Sequence, residues 1–439
     1  MDKIVVEGGR PLQGSVRASG AKNAALPILI ATLLAPGEHR LANIPQLADT
    51  SSALSLLGRV GCPSLVEGNL VRLDTSRIAF CEAPYDVVRR MRASVLVLGP
   101  LLARAGEAKV SMPGGCAIGT RPIDQHLKGL EALGCRFQLD GGYIHGKGGD
   151  LRGADFRFDM PTVTGAENVL SAAVLARGTT TLRNVAREPE VSDLCHFLVS
   201  LGARIEGIGT DTLIIEGVAR LSPPSRPYAI VPDRIETGTF LAAAAATGGS
   251  VEVTDTNPSF LTAVLEKLRA TGCTVSTTPT SVRVSRDGPL TAASLVTEPY
   301  PGFPTDMQAQ MMAVACGAEG ESTLVETIFE NRFMHAAELR RMGARIAERG
   351  NTATVTGGPL SGASVMASDL RASAALIVAA LAASGITEVL RVYHLDRGYE
   401  DMVGKLRSLG ARIARVGDGV SDPAEYVKAF DAPLREASA

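Results

Sequence analysis

The feature that most constrains the fold is a short phrase that recurs six times at an even interval. In each copy an apolar or small residue is followed by glycine and then by alanine or cysteine, and a run typical of a strand comes next. The glycines lie about 70 residues apart along the whole chain, a longer period than that of common solenoids. They are Gly61, Gly134, Gly202, Gly272, Gly343 and Gly410. This regularity predicts six copies of one structural unit.

The second copy shows the composition of the unit. Leucines at helical spacing predict a helix over residues 125–133, and Gly134 follows where a left-handed residue closes the last turn. Residues 136–145 alternate around an Asp-Gly turn, which predicts a β-hairpin. A second helix, rich in alanine and apolar on most faces, precedes each hairpin and is predicted to be buried. These helices are predicted over residues 21–34, 94–105, 167–176, 237–246, 307–316 and 370–383.

Six such units predict an α/β protein of two three-unit domains, with helices inside and sheets outside. A chain of 439 residues is also too long for one ordinary core. A Pro/Ser-rich stretch at residues 221–227 has the composition of a linker, and a second crossing is expected near Gly20. The predicted domains are residues 22–229 and residues 1–21 plus 230–416, with 417–439 as a poorly packed tail extension. The cleft between domains is the expected ligand site.

The composition excludes several classes of function. The formal net charge is −2 and there is no basic run, which disfavours a nucleic-acid or membrane-surface partner. The seven cysteines are odd in number and lack C-x-x-C spacing, so neither a disulfide framework nor a zinc site is expected. The first residues do not have the pattern of a signal peptide, and no apolar run is long enough to span a bilayer. A cytoplasmic protein is therefore expected.

One cysteine lies in a setting unlike the others. Cys116 is in the loop Pro-Gly-Gly-Cys-Ala-Ile-Gly-Thr-Arg-Pro at residues 113–122, five residues before Arg121. A free cysteine is usually a small buried hydrophobe. A glycine-rich loop with a nearby cation is instead a setting that lowers the pKa of a thiol and makes it a nucleophile or an acid. Cys116 is the candidate reactive group, and the other six cysteines are interpreted as structural.

Candidate anion-binding groups are distributed along the chain. Lys22 and Asn23 follow a glycine at the start of an apolar helix, where unpaired backbone N–H groups favour phosphate. Singly, arginines at element edges are usually surface or ion-pair residues. Together they indicate a doubly anionic ligand, because a guanidinium fork matches carboxylate and phosphate. These arginines are Arg92, Arg121, Arg332, Arg371 and Arg397.

Asp306 is the candidate base, in the segment Phe-Pro-Thr-Asp-Met-Gln at residues 303–308. Thr305 or Asp306 would also serve as a helix N-cap, which is the structural alternative. His126 and His394 lie near key arginines without metal-ligand partners and are interpreted as hydrogen-bonding residues. No metal site is expected.

These motifs together resemble the UDP-N-acetylglucosamine 1-carboxyvinyltransferase family. The resemblance is carried by the Cys116 loop, Lys22-Asn23, residues 303–308, Phe-Glu-Asn-Arg-Phe at 329–333, Asp-Leu-Arg-Ala at 369–372 and Asp-Arg-Gly-Tyr at 396–399. It extends from the N-terminus to about residue 415. It implies an inside-out α/β barrel in each of two domains, a fold shared with the shikimate-pathway enolpyruvyl transferase, which agrees with the six repeats.

The resemblance also implies a reaction and roles. The enolpyruvyl group of phosphoenolpyruvate passes to the 3′-hydroxyl of UDP-N-acetylglucosamine, with loss of phosphate, in the first committed step of peptidoglycan synthesis. Cys116 would be the general acid toward C3, able to form a covalent adduct and to react with fosfomycin, and Asp306 would be the base. Lys22, Arg121 and Arg397 would hold phosphate and carboxylate, with Asp369 and Arg371 in support. No metal or organic cofactor is implied, and the expected state is a monomer or weak homo-oligomer.

The remaining predicted substrate contacts bind the UDP-sugar. They are Asn23, Arg92, Arg121, Pro122, Ile123, Asp124, Gln125, Thr162, Val163, Thr305, Asp306, Ile328 and Arg332. Three features depart from the family pattern. Thr120 and Gln125 replace Ala and Leu, Pro-Thr-Val-Thr-Gly-Ala at 161–166 replaces Pro-Ser-Val-Gly-Ala-Thr, and the chain continues past the usual end.

Three alternatives remain at this point. A shikimate-3-phosphate enolpyruvyl transferase is disfavoured by the Gly-Gly-Cys loop. A silent paralogue that only binds UDP-sugar is disfavoured because Cys116, Lys22, Asp306 and Arg397 occur together. A repeat scaffold without a small-molecule site is disfavoured by the charged, non-periodic segments between the helices. Phosphate release from phosphoenolpyruvate with and without the sugar nucleotide discriminates among the three.

Overall fold

The structure, a computed structural model, describes residues 2–89, 91–112 and 123–432. Within these ranges the chain forms 14 α-helices and 26 β-strands. The helices are α1 (Lys22–Ala31), α2 (Ala48–Arg59), α3 (Tyr85–Val88), α4 (Leu98–Ala105), α5 (Asp124–Ala132), α6 (Val163–Ala173), α7 (Pro189–Ser200), α8 (Arg234–Thr247), α9 (Thr262–Ala270), α10 (Gln308–Cys316), α11 (Met334–Arg341), α12 (Leu370–Ala382), α13 (Met402–Ser408) and α14 (Pro423–Asp431).

The strands are mostly short. They are β1 (Asp2–Glu7), β2 (Gln13–Arg17), β3 (Glu38–Ala42), β4 (Ser64–Glu67), β5 (Leu70–Asp74), β6 (Glu82–Ala83), β7 (Glu107–Ser111), β8 (Arg136–Asp140), β9 (Tyr143–Lys147), β10 (Asp155–Arg157), β11 (Thr179–Arg183), β12 (Arg204–Glu206), β13 (Thr212–Glu216), β14 (Tyr228–Ala229), β15 (Ser250–Thr254), β16 (Thr274–Thr277), β17 (Ser281–Ser285), β18 (Leu290–Thr291), β19 (Leu295–Val296), β20 (Ala318–Glu319), β21 (Glu321–Val325), β22 (Arg345–Arg349), β23 (Thr352–Thr356), β24 (Ser364–Met366), β25 (Ile386–Leu390) and β26 (Arg412–Gly417). Five 3₁₀ turns cover Thr32–Leu34, Arg92–Val97, Pro258–Leu261, Thr305–Met307 and Val392–Arg397.

The described residues divide into two compact units. One comprises residues 20–112 and 123–231, apart from residue 90, and is called the Lys22 unit below. The other comprises residues 2–19 and 232–432 and is called the Asp306 unit. Each unit has its own apolar core.

Six four-stranded sheets in the described chain share one pattern of pairing. In each, the first two strands are parallel and the other pairings are antiparallel. The orders are β14-β3-β5-β4, β6-β7-β9-β8 and β10-β11-β13-β12 in the Lys22 unit, and β2-β15-β17-β16, β19-β21-β23-β22 and β24-β25-β1-β26 in the Asp306 unit. The N-terminal strands therefore belong to two different sheets of the Asp306 unit: β1 pairs with β25 and β26, and β2 pairs with β15.

The mixed α/β class predicted from the sequence is confirmed, whereas the expected barrel is not. Every sheet among the described residues is open, with two or four strands, and none closes on itself. Four strands are too few to surround a core, since small closed barrels use about eight. The predicted left-handed glycines are confirmed, because all six recurring glycines have φ between 88° and 104°.

The alanine-rich helices lie in the cores, as their composition predicts. All nine residues of α10 are buried, and the buried residues of α8 and α12 extend around the whole helix. Alanine and other small side chains allow such helices to approach one another closely, and polar caps define where α8 and α12 begin. Asp233 caps α8 by accepting hydrogen bonds from the backbone N–H groups of Ile235 and Glu236 at 2.8 and 2.9 Å.

The C-terminal segment corrects one sequence prediction. Residues 417–439 were expected to be a poorly packed extension, but within 417–432 the chain forms α14, which begins at Pro423 after the N-cap Asp422. Tyr426 and Phe430 are 2% and 6% exposed and pack against Val5. Two aromatic residues four positions apart give this helix an apolar face that the acidic composition of the tail concealed.

No helix within residues 2–89, 91–112 and 123–432 is both long and apolar enough to cross a membrane.

Candidate active site

One polar cluster in the Asp306 unit is built around the carboxylate of Asp306. Asp306 lies in the 3₁₀ turn before α10, and its two oxygens accept hydrogen bonds from two different arginines. Arg332 donates to Oδ1 at 2.8 Å, and Arg371 donates to Oδ2 at 2.9 Å. Both arginine side chains are 4% exposed, whereas that of Asp306 is 26% exposed. The carboxylate is therefore held by two buried cations and retains one accessible side.

This arrangement differs from the structural alternative, in which Thr305 or Asp306 would serve as a helix N-cap. Pro304 occupies the N-cap position of the 3₁₀ turn, and no side chain caps it. Charge explains the difference, since an ionised carboxylate gains more from two buried guanidinium groups than from backbone N–H donors. Burial lowers the pKa of Arg371, but the charges of Asp306, Tyr399 and Asp233, together with the hydrogen bond to Asp306, outweigh burial and raise that pKa above its ordinary value.

A buried glutamate that the sequence analysis missed fixes the surroundings of Asp306. Glu326 is 2% exposed and accepts hydrogen bonds from the hydroxyls of Thr297 and Thr305, each at 2.9 Å. It also accepts from the backbone N–H of Ile328 at 2.9 Å. Ile328 itself is exposed. An acidic residue directly after an alternating strand and before a threonine was the signal available in the sequence.

Two other predicted residues of this unit have defined local roles. Asp369 caps α12 by accepting from the backbone N–H of Arg371 at 2.9 Å and of Ala372 at 3.1 Å. It thereby fixes the first turn, from which the Arg371 side chain reaches Asp306. Arg397 is half-buried and is the last residue of the 3₁₀ turn Val392–Arg397. The pKa of the neighbouring His394 is lowered by burial and by the charge of Arg397.

In the Lys22 unit, Lys22 is the first residue of α1. Its Nζ lies 3.4 Å from Oδ2 of Asp49, and the two side chains are 13% and 4% exposed. Asn23 follows and is half-buried. The N-cap residue Ala21 offers no side-chain cap, so the start of α1 carries only backbone donors and the lysine. Asp49 is a second residue that the sequence analysis missed.

The side chain of Gln125, at the start of α5, is already hydrogen-bonded to neighbouring residues of the protein. Gln125 is 6% exposed, its Oε1 accepts from the backbone N–H of Asp159 at 2.9 Å, and its Nε2 donates to Asp159 at 2.7 Å and to Asp124 at 3.1 Å. Ile123 precedes the helix as its N-cap residue. The predicted contact of Gln125 with a ligand would therefore compete with three internal hydrogen bonds.

A buried histidine links α5 to α6. His126 contacts the side chains of Asn168 at 3.0 Å and Thr164 at 3.3 Å, which confirms its interpretation as a hydrogen-bonding residue. Burial and the charge of Arg92 lower its pKa to about 4, so the ring is neutral at neutral pH. Thr162 caps α6, whose first residue is Val163, by accepting from the backbone N–H of Gly165 at 3.3 Å.

Cys116, Arg121 and Pro122 lie outside the described residues. The other six cysteines are free thiols, and burial raises the pKa of each of them. This agrees with their interpretation as structural residues.

Comparisons with known proteins place the fold. A family model described as EPSP synthase (3-phosphoshikimate 1-carboxyvinyltransferase) matches residues 6–406. The enolpyruvyl transferase NikO from Streptomyces tendae superimposes with a TM-score of 0.85 at 27% identity, covering 94% of this chain and 99% of that one. EPSP synthase from Acinetobacter baumannii shares the fold at a TM-score of 0.73 and 18% identity, covering 95% and 100% of the two chains. The chain is an enolpyruvyl transferase of this class.

Curated relatives narrow the class. The UDP-N-acetylglucosamine 1-carboxyvinyltransferase of Dichelobacter nodosus is 57% identical over 95% of this chain and 99% of its own length. That of Anaeromyxobacter dehalogenans is 58% identical over 95% of this chain and 100% of its own length. The chain therefore belongs to the UDP-N-acetylglucosamine 1-carboxyvinyltransferase family, which confirms the resemblance seen in its motifs.

Proposed function

We propose that this transferase moves the enolpyruvyl group of phosphoenolpyruvate to the 3′-hydroxyl of UDP-N-acetylglucosamine and releases phosphate, as the first committed step of peptidoglycan synthesis. The observation that carries the proposal is the identity of 57–58% over nearly the full length of relatives that bear this activity in their names. The match to the shikimate enzyme at 18% identity supports the fold alone. Six free cysteines favour a reducing compartment, the cytoplasm.

In the proposed addition step, a proton is delivered to C3 of phosphoenolpyruvate while the sugar oxygen bonds to C2. Cys116 is the proposed donor of that proton, and Asp306 is the proposed acceptor of the hydroxyl proton. In the elimination step the Cys116 thiolate takes a proton back from C3, the bond between C2 and the phosphate oxygen breaks, and the departing phosphate takes up the proton that Asp306 had accepted. All atoms are then accounted for in the enolpyruvyl ether and inorganic phosphate.

The geometry of Asp306 suits the acceptor role in two ways. Arg332 and Arg371 fix both carboxylate oxygens, so little orientational entropy remains to be lost in the transition state. The same cations favour the ionised form, which is the form a base requires. They also weaken the base. The weakening is tolerable because protonation at C3 leaves C2 electron-poor, and the hydroxyl becomes more acidic as its oxygen bonds to C2.

The remaining proposed roles follow the family motifs. Lys22, Arg121 and Arg397 hold the phosphate and carboxylate groups, and Asp369 and Arg371 support them. Oδ2 of Asp49 lies 3.4 Å from Nζ of Lys22 and holds the ammonium group in place. The proposed sugar-nucleotide contacts are Asn23, Arg92, Ile123, Asp124, Gln125, Thr162, Val163, Thr305, Ile328 and Arg332, together with Pro122.

We also propose that the two compact units are the two domains expected from the sequence, each made of three copies of one repeat in an inside-out arrangement. Support comes from the identical pairing of the six sheets and from the left-handed glycine in each copy. The burial of α8, α10 and α12 supports helices as the inner layer.

A coupled assay of phosphate release tests the function. The enzyme is incubated with phosphoenolpyruvate alone, with added UDP-N-acetylglucosamine, and with added shikimate 3-phosphate. We expect sustained phosphate release only with the sugar nucleotide. Release with shikimate 3-phosphate instead would reassign the substrate, and no release with either acceptor would contradict transferase activity.

A further inference from the structure

A small polar cluster lies in the core of the Asp306 unit. It consists of Thr239 on α8, Gln310 on α10 and Tyr399, which are 0%, 0% and 4% exposed. The Tyr399 hydroxyl is 2.9 Å from the Thr239 hydroxyl and 3.2 Å from Nε2 of Gln310, and Gln310 also donates to Thr239 at 3.1 Å. Two core helices therefore anchor one tyrosine through its hydroxyl.

The ring of this tyrosine lies beneath one of the two arginines that hold Asp306. The guanidinium carbon of Arg371 is 5.5 Å from the centroid of the Tyr399 ring, within the range of a cation–π contact. Nη2 of the same guanidinium donates to Asp306, whereas its buried Nη1 has no hydrogen-bond partner among the described residues. Tyr399 thus supports Arg371 in addition to the hydrogen bond that Arg371 donates to Asp306.

Arg332 has a similar arrangement. Its guanidinium carbon is 5.5 Å from the centroid of the Phe329 ring, while its Nη2 donates to the other oxygen of Asp306. Each cation beside the carboxylate therefore rests on an aromatic ring. The Tyr399 ring differs from that of Phe329 because it carries a hydroxyl that is hydrogen-bonded to residues of two core helices.

We infer that Tyr399 is a positioning residue for Asp306. Its ring supports the Arg371 guanidinium, its hydroxyl fixes the ring against Thr239 and Gln310, and the guanidinium in turn sets the direction of the carboxylate. The inference rests on the proposed role of Asp306 as the base. If Tyr399 had a purely structural role, it would make the same hydrogen bonds. Its loss would then lower the stability of the protein without affecting turnover by the folded enzyme.

The expected effect is on the chemical step. A displacement of about 1 Å at a reacting group costs about 10²-fold in rate, so removal of the ring should lower kcat by about 10- to 100-fold. The KM for UDP-N-acetylglucosamine should not change, because the sugar nucleotide keeps its other proposed contacts, none of which involves Tyr399. Restoration of the ring without the hydroxyl should recover most of kcat.

The test compares Tyr399→Leu with Tyr399→Phe in the full-length enzyme. Tyr399→Met is a second variant without a ring, whose flexible side chain fills the volume if the leucine variant does not fold. Tyr228→Leu is the matched control in the Lys22 unit, since the Tyr228 hydroxyl donates to Asp193 at 2.6 Å and its ring packs against Phe197. The control should lower the melting temperature and leave kcat per folded molecule unchanged.

Steady-state phosphate release gives kcat and KM, and thermal unfolding gives stability. We expect kcat to fall for leucine and methionine, to be largely retained for phenylalanine, and KM to stay constant throughout. Normal kcat in either ringless variant, an equal loss in all three variants, or a change confined to KM would overturn the inference. Absence of phosphate release by the unaltered enzyme would instead contradict the proposed function, so the two failures are distinguishable.

Discussion

Replacement of Asp306 with asparagine changes the centre of the site while keeping its shape. In the native structure each carboxylate oxygen accepts from one guanidinium, at 2.8 Å from Arg332 and 2.9 Å from Arg371. An asparagine side chain has one acceptor oxygen, and its amide group would turn two donors toward a guanidinium that has only donors. Because both arginine side chains are 4% exposed, bulk water does not replace the lost partner.

The cost follows from this burial. Removal of one member of a buried ion pair costs about 3–5 kcal/mol. We expect about 3 kcal/mol, the lower end of that range for buried pairs, because the variant keeps one hydrogen bond and the Asp306 side chain is 26% exposed. For a domain of about 150–250 residues this lowers the melting temperature by about 6–12 °C. Loss of the base should lower kcat by about 10²–10⁴-fold, with binding of the sugar nucleotide retained.

Asp255→Asn is the matched control in the same unit. Asp255 pairs with Arg17 at 2.6 Å, but the two side chains are 61% and 62% exposed, so the pair contributes about 0–1 kcal/mol. Phosphate release, thermal unfolding and calorimetric binding of UDP-N-acetylglucosamine are measured for both variants. Near-normal turnover by Asp306→Asn would remove Asp306 from the mechanism, and an unchanged melting temperature would refute the stabilising role of the two ion pairs.

Three further predictions concern other parts of the chain. Fosfomycin should modify Cys116 alone, since burial raises the pKa of the other six thiols. The variant Cys116→Asp should stay active and should resist inactivation by fosfomycin. Peptide mapping that finds the adduct on another cysteine would refute this prediction. A chain ending at Gly417 should melt at a lower temperature, because Lys3 loses its 2.9 Å hydrogen bond to Tyr426 and Val5 loses its packing against Tyr426 and Phe430. An unchanged melting temperature would show that α14 contributes no stability. Burial and the nearby acids Glu190 and Glu188 raise the pKa of Glu167 in the folded protein above its ordinary value of 4.5. The contribution of protonated Glu167 to the free energy of unfolding is therefore complete below the unfolded pKa near 4.5, and it is lost as the pH rises through the folded pKa. The melting temperature of Glu167→Gln relative to the unaltered enzyme should therefore increase from pH 5 to pH 8.5, and a constant difference would contradict this.

Features set by local chemistry were predictable from the sequence. The positive φ of Gly134 and its equivalents follows from the need to end a helix and turn back, and burial of the alanine-rich helices follows from their composition. The predicted hairpin of β8 and β9 is confirmed, but its turn lies one residue later than the expected Asp-Gly pair, because Asp140 pairs with Tyr143 and Gly141 and Gly142 form the turn with φ of 55° and 77°.

Features that depend on distant contacts were not predictable. Asp306 meets Arg332 and Arg371, which lie 26 and 65 positions away, and a single sequence does not show which arginine faces which carboxylate. The same limit hid Glu326, whose partner Thr297 lies on another segment, 29 positions away. The packing of α14 could have been found, since Asp422 and Pro423 form a helix start before two aromatic residues four positions apart.

Identification of the nucleotide product tests the central claim most directly. The enzyme is incubated with UDP-N-acetylglucosamine and phosphoenolpyruvate labelled with ¹³C at C2 and C3, and the products are followed by NMR and mass spectrometry. We expect both labels in an enolpyruvyl ether on the sugar 3′-oxygen, with one phosphate released for each ether formed. Label recovered only as pyruvate, or an unmodified sugar nucleotide beside released phosphate, would contradict the transfer.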